Sequence, residues 1–173
     1  VGAGPIQNIG AYGEEIANYI EHIEVFNFKT GNVEILNNKN CNFDYRNSFF
    51  KKNKHLFIKN IFFRLKKNFI ANNSYQGLQG YEFKKASVLR KSILKIRNRK
   101  LENYLTKPNV GSFFKNPIIK KQDLSKLLKL DADLKFYNHK KQIKVSAAWL
   151  IERSDLKGFK FFKARVSKKH SLV

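Results

Sequence analysis

Hydrophobic and polar positions alternate in part from Ile20 to Phe28, a stretch rich in β-formers. Thr30-Gly31-Asn32 then offers a turn and Val33 to Leu36 returns, so the pattern predicts a β-hairpin. Residues 56–65 read two ways. Ile58, Ile61, Phe62 and Leu65 fall at i, i+3, i+4 and i+7, as on one face of a helix. The same run is rich in aromatic and β-branched residues, as a strand buried on both faces would be. In its helical form it also suits a membrane-surface amphipathic helix. Ser87 stands where it can cap a helix whose face is Leu89, Ile93 and Ile96. Gln122 to Leu130 predicts a short helix with Leu124, Leu127 and Leu128 on one side. A third helix is predicted around Val145 to Arg153, with Trp149 a core residue. Residues 1–13, punctuated by glycines and a proline, read as loop and turn. Residues 99–110 lack periodicity and contain Pro108, which places a domain junction there.

At 173 residues and 42% hydrophobic content the chain can bury a core as one domain or two small ones. No apolar run of about 18 residues is present to span a membrane, and no signal peptide opens the chain. The single cysteine, Cys41, cannot form an internal disulfide; it reads as a buried structural thiol and points to a cytoplasmic protein. The formal net charge is +22. By itself that suggests nucleic acid, and Phe49-Phe50-Lys51-Lys52-Asn53-Lys54-His55-Leu56-Phe57 interleaves basic and aromatic residues as a single-strand groove does. Yet the lysines are spread along the whole chain. Phe, Asn, Ile and Lys have A/T-rich codons, so nucleotide bias in the source genome accounts for their joint abundance. A non-catalytic basic module binding nucleic acid or an anionic surface stands as the rival reading.

Chemistry concentrates in Gly111-Ser112-Phe113-Phe114-Lys115-Asn116-Pro117. A glycine directly before a serine lets the backbone bend and aim the hydroxyl into a cavity. The two phenylalanines can anchor the segment in a core. A lysine and an amide suited to an anionic ligand follow, before a proline. Three further stretches accompany it in order: Pro5-Ile6-Gln7-Asn8-Ile9-Gly10-Ala11-Tyr12-Gly13, Cys41-Asn42-Phe43-Asp44-Tyr45-Arg46-Asn47-Ser48, and Ala147-Ala148-Trp149-Leu150-Ile151 with Leu156-Lys157-Gly158.

Together these four stretches resemble the UDP-N-acetylenolpyruvoylglucosamine reductases, the MurB family of peptidoglycan synthesis, over nearly the whole chain. The resemblance implies an α+β fold: the latter part of a FAD-binding domain over residues 1–107, then a small substrate-binding domain over 108–173. It favours a strand at 56–65. It implies FAD as cofactor, NADPH as co-substrate and reduction of UDP-N-acetylglucosamine enolpyruvate to UDP-N-acetylmuramate, in a monomeric cytoplasmic enzyme. It implies no metal, no membrane and no specific nucleic acid. Arg46, of the Tyr45-Arg46 pair, is implied to hold the substrate carboxylate and stabilise an enolate, for which a permanently charged planar fork is suited. Ser112 is implied as the proton donor. Tyr45, Tyr75 (beside Gln76-Gly77-Leu78), Lys100, Asn116 and Lys157 are implied to contact the substrate, Lys100 near the nucleotide phosphates. Gly2, Ala3, Pro5, Ile6, Ile9 and Gly10, in the stretch that opens at Val1, are implied to line the flavin.

The chain departs from the family pattern where glycine or proline is expected. Glu102-Asn103-Tyr104 stands for Pro-Asp-Pro, Pro108-Asn109-Val110-Gly111 for Gly-Asn-Ala-Gly, Ala148 for a glycine, and Phe162-Lys163 for a Gly-Gly pair. Where the family backbone needs φ > 0, each such exchange costs strain or displaces the backbone. The resemblance also implies an N-terminal flavin-binding segment before this stretch and a C-terminal segment after it that carries a third key residue, a glutamate. On this reading the chain is the central and substrate-binding portion of an enzyme, inactive in isolation.

Overall fold

A computed structural model describes residues 2–73, 75 and 77–173; Val1, in the opening stretch, and Gln76, beside Tyr75, lie outside the described residues. The chain divides into two compact units, Val1–Ile93 and Leu94–Val173. Each mixes helix with small antiparallel sheets, so the α+β expectation holds.

The first unit opens with helix α1 (Ala3–Gln7) where glycine and proline spacing predicted only loop. Pro5 is tolerated because the first amides of a helix have no intrahelical acceptor to lose. Asn8 ends the helix in the left-handed region at φ 43, its amide bonding back to Gly4 and Pro5. A tight hairpin follows, β1 (Gly10–Ala11) and β2 (Glu14–Glu15), turning through Tyr12 at φ 56 and Gly13 at φ 86. The predicted hairpin is present as β3 (Ile20–Asn27) and β4 (Asn32–Asn37), joined by a loop over 28–31 in which Gly31 takes φ 71.

Residues 56–65 form β5 (Leu56–Phe63), paired to the other edge of β3. The ladder shows why periodicity did not identify it. Leu56, Ile58 and Ile61 pair with Asn27, Val25 and Ile23 on the inward face, and a register shift between Glu24 and Val25 inserts one residue on β5. The bulge turns a two-residue spacing into the three-residue spacing of a helix face. The strand is not buried on both faces: Phe57, Phe62 and Phe63 are exposed. Beneath β3, the buried Ile20, Ile23, Val25, Cys41 and Phe50 form the core of this unit. Burial raises the Cys41 thiol to about 11, so it is structural and inert.

Helix α2 (Ala86–Lys100) carries Leu89, Ile93 and Ile96 on its less exposed side, as the spacing predicts, and runs through the division between the units. Ser87 lies inside it rather than at its cap. The second unit continues with β6 (Ile118–Lys120), α3 (Lys121–Leu130), β7 (Phe136–His139), β8 (Gln142–Val145) and α4 (Ala147–Arg153). The three strands form one antiparallel sheet with β8 in the centre. Its core is Leu134, Ile143 and Val145, covered by Leu124, Leu127 and Leu128 of α3 and by Trp149 of α4. Val145 belongs to the central strand, so the third helix starts later than its sequence suggested.

The chain then forms a small hairpin, β9 (Lys160–Phe161) and β10 (Ala164–Arg165), with Phe162 and Lys163 as its two loop residues. Phe162 replaces the expected glycine yet sits at φ 53. The left-handed turn is kept and a β-carbon bears its cost. Phe162→Gly therefore removes about 1–2 kcal/mol of backbone strain, while the ring given up is 81% exposed. We expect the variant to shift the urea midpoint of this unit upward, followed by the fluorescence of Trp149, the single tryptophan. An unchanged or lower midpoint would show that the turn is not strained.

Candidate functional site

In the first unit the opening segment and the Tyr45-Arg46 segment are tied together by hydrogen bonds spanning 36 to 42 residues. Asn8 is the centre of this contact. Its side chain is 1% exposed. Nδ2 donates to Glu15 Oε2 at 2.9 Å and to the Asp44 carbonyl at 3.0 Å, and Oδ1 accepts from the Ala17 amide at 3.2 Å. Ser48 Oγ donates to the Ile6 carbonyl at 2.9 Å from the far side of the loop. A left-handed turn at φ 49 aims Arg46 back at the same segment. Its Nη1 donates to the Asn8 carbonyl at 3.2 Å and its Nη2 to the Gly10 carbonyl at 2.7 Å. Glu15 lies 3.5 Å from Nη1, and the guanidinium covers the Tyr45 ring at 5.2 Å. A guanidinium has five N–H donors, so these bonds orient Arg46 without exhausting it. Gly10 is required here: a β-carbon on it would stand 2.8 Å from the Glu14 carbonyl oxygen and 3.0 Å from Arg46 Nη1.

Of the residues implied to line the flavin, Ala3, Ile6 and Ile9 face outward, Gly2 and Gly10 are partly covered, and Pro5 is fully buried. Tyr75 packs edge-on against Tyr12 at 4.8 Å between ring centres. Tyr12 itself lines an open hollow of about 960 Å³ together with Tyr19, Asn72 and Leu89.

The second unit holds the serine segment. Gly111 takes φ 70, its amide donating to Asn109 Oδ1, and delivers Ser112 to the surface. The Phe113 amide donates to the Leu172 carbonyl at 2.8 Å, which fixes the residue beside the serine. Phe113 and Phe114 do not anchor a core. They are exposed and edge-on to each other, and they wall a cavity of about 730 Å³ with Ile151, Leu156, Val166 and Leu172. Asn116 helps to start α4: its Oδ1 accepts the Ala147 amide at 3.0 Å, beside Ser146 Oγ, which accepts the Trp149 amide at 3.3 Å.

Lys100 and Lys157, 57 residues apart by subtraction of their numbers, both bring their charge to bear on His170. Lys157 Nζ donates to Glu152 Oε1 at 2.8 Å, and Ser171 Oγ donates to the same oxygen at 2.6 Å. These bonds, Lys157 first, hold the Glu152 carboxyl below its usual range. The carboxylate therefore restrains one of the two implied anion contacts. Asn8, Glu15, Glu152 and His170 carry much of this geometry and were not assigned site roles from the sequence. Asn8 lay inside a recognised stretch, whereas His170 had no spacing signal at all.

Comparison with known proteins follows the same lines. Residues 100–173 match the family described as UDP-N-acetylenolpyruvoylglucosamine reductase, C-terminal domain. The whole chain is 43% identical over 177 residues to the UDP-N-acetylenolpyruvoylglucosamine reductase of Pseudoalteromonas translucida (strain TAC 125), of which it covers 52%. It is 39% identical over 178 residues to that of Buchnera aphidicola subsp. Baizongia pistaciae (strain Bp), of which it covers 53%. The chain thus spans about half the length of these curated relatives. Among solved structures, the UDP-N-acetylenolpyruvylglucosamine reductase (MurB) from Thermus caldophilus shares the fold with a TM-score of 0.59. That match is at 20% identity and covers 99% of this chain and 47% of the other.

The Asn8 contact has a direct test. Asn8→Ala strands buried partners and costs about 1–3 kcal/mol. We expect Cys41, the single thiol, to label about 5- to 150-fold faster as the first unit opens more often. Trp149 fluorescence in urea, which reports the second unit, should move little. Unchanged Cys41 labelling would show that Asn8 does not hold the segment.

Proposed function

We propose that this chain belongs to the UDP-N-acetylenolpyruvoylglucosamine reductase family and is the central and substrate-binding portion of such an enzyme, acting in peptidoglycan precursor synthesis. Similarity from end to end to reductases of that name is the observation that carries the reading. On this reading the residues 1–107 belong to a FAD-binding domain and 108–173 to a substrate-binding domain. The reaction is NADPH-dependent reduction of UDP-N-acetylglucosamine enolpyruvate, in the cytoplasm, by a monomer. The chain alone is inactive because the rest of the reductase length is needed.

Ala3, Ile6 and Ile9 present an outward apolar strip beside glycine backbone, which fits the edge of a flat ring cofactor. A bound flavin would supply hydride to the enolpyruvyl double bond. The chain's own residues meet what that addition demands. The substrate carbon next to the carboxylate gains negative charge, and Arg46, already oriented by the Asn8 and Gly10 carbonyls, is suited to grip the carboxylate and stabilise that charge. Ser112, projected by the Gly111 turn, supplies the proton to the same carbon. A serine hydroxyl is a weak acid in water, so it serves only where solvent is excluded and the acceptor is strongly basic. Tyr45 stacks on Arg46 and supports its pose. Tyr75, Lys100, Asn116 and Lys157 complete the substrate contacts, the lysines facing the diphosphate. Asn116 has its Oδ1 on the first amide of α4, which holds the side chain in place for that role.

The test grafts residues 1–173 between the flanking segments of a relative and measures NADPH consumption with the enolpyruvyl substrate. The graft should turn over. In it, Ser112→Ala should lower turnover by more than the ~10²–10⁴-fold typical of a lost general acid, because water cannot replace the hydroxyl. Substrate affinity should stay nearly constant, since the hydroxyl acts mainly in the transition state. Ser112→Cys should recover part of the rate. Unaltered turnover in Ser112→Ala would remove the serine from the chemistry, and an inactive graft that still folds would remove the reading itself.

A further inference from the structure

We propose that His170 is a third binding residue of the anion site assigned to Lys100 and Lys157, its ring N–H donating to a phosphate-like oxygen, and that a proton taken up by the ring tightens the ligand. The inference rests on the reading of those two lysines as diphosphate contacts.

The hydrogen bonds set the tautomer. His170 Nδ1 accepts the Leu172 amide at 3.2 Å, so the neutral ring carries its proton on Nε2. No other residue among those described takes up Nε2 in a hydrogen bond, and the ring is only partly covered. The hydroxyl of Ser171, next in the chain, is committed to Glu152 at 2.6 Å. While neutral, the ring is thus fixed by the segment it belongs to, with one donor still to place; an added proton goes to Nδ1 and releases the Leu172 amide.

The charges around it come from three places: Lys100 at the end of α2, Glu152 on α4, and Lys157 in the turn after α4. Burial, then Lys100 and Lys157, hold the imidazole below its ordinary value, while Glu152 pulls the other way. Two lysines against one glutamate leave +1 around a neutral ring, and protonation makes it +2. Without a ligand, the lysines oppose that second charge. A dianion seated between them reverses the balance and raises the proton affinity of the ring. By linkage, whatever the ligand does to the proton the proton does to the ligand, so affinity rises as pH falls through the ring's titration. The sign is unambiguous: a depressed folded value means that the free site sheds its proton early, and the bound site keeps it to higher pH.

Inorganic sulfate is the probe, because it remains a dianion across the range that matters. The intact 173-residue chain is titrated with sodium sulfate at constant ionic strength from pH 5 to 8, while the His170 ring is followed by NMR. We expect the His170 midpoint to rise with sulfate, and sulfate affinity to rise about 3- to 10-fold towards low pH, tenfold corresponding to a one-unit difference in midpoint between the free and bound states. In His170→Gln, which keeps an N–H donor but cannot titrate, affinity should be flat with pH. A His170 midpoint that ignores sulfate, observed without any variant, overturns the proposal. So does a pH dependence that survives in His170→Gln. Lys100→Gln and Lys157→Gln separate the two layers. If they leave sulfate affinity unchanged, the lysine assignment fails and takes this inference with it. If they weaken sulfate while His170→Gln behaves as wild type, the lysine assignment stands and His170 alone is excluded.

Discussion

A single buried carboxamide organises the first unit. Asn8 is buried, and its side chain bonds to Glu15, the Asp44 carbonyl and the Ala17 amide. A buried amide left unpaired costs more than its bonds return, so the opening segment and the Tyr45-Arg46 loop dock in one register. The consequence reaches Arg46. The same docking puts the carbonyls of Asn8 and Gly10 where they orient the Arg46 guanidinium. A glycine at position 10 is the condition for that approach, since the guanidinium and the Glu14 carbonyl occupy the space of a β-carbon.

The second unit solves a similar problem with charge. Glu152 receives both Lys157 and Ser171, joining the turn after α4 to the final segment of the chain. Asn116 joins the serine segment to the start of α4 by taking the Ala147 amide. Residues that the family resemblance assigned to the substrate thus also have local structural tasks. A side chain already immobilised loses less entropy when a ligand arrives.

Several elements were legible because they depend on near neighbours. The hairpin of β3 and β4 follows from alternation and a glycine turn, and α3 from leucines at helical spacing. The four ordered motifs, the serine segment among them, were also visible directly. Other features were misread for identifiable reasons. The bulge in β5 gave Ile58 and Ile61 a helix-like separation. Glycine and proline in α1 imitated a loop, although a helix of five residues accommodates both in its first turn. Phe113 and Phe114 are core residues by type, yet they wall a cavity instead. Phe162 keeps a left-handed turn that its side chain disfavours, because the two-residue loop between β9 and β10 leaves the backbone little alternative.

Local pattern therefore sets which segments are present, their order, the family they resemble and the residue types placed in its motifs. Tertiary structure alone decided which of those residues meet. The bonds from Asn8 to Asp44 and from Ser48 to Ile6 span 36 and 42 residues, and the charges of Lys100 and Lys157 converge on a histidine near the other end of their unit. A hydrogen bond or ion pair between distant positions imposes no period on the chain. It leaves no local pattern to read, and only the folded backbone makes it visible.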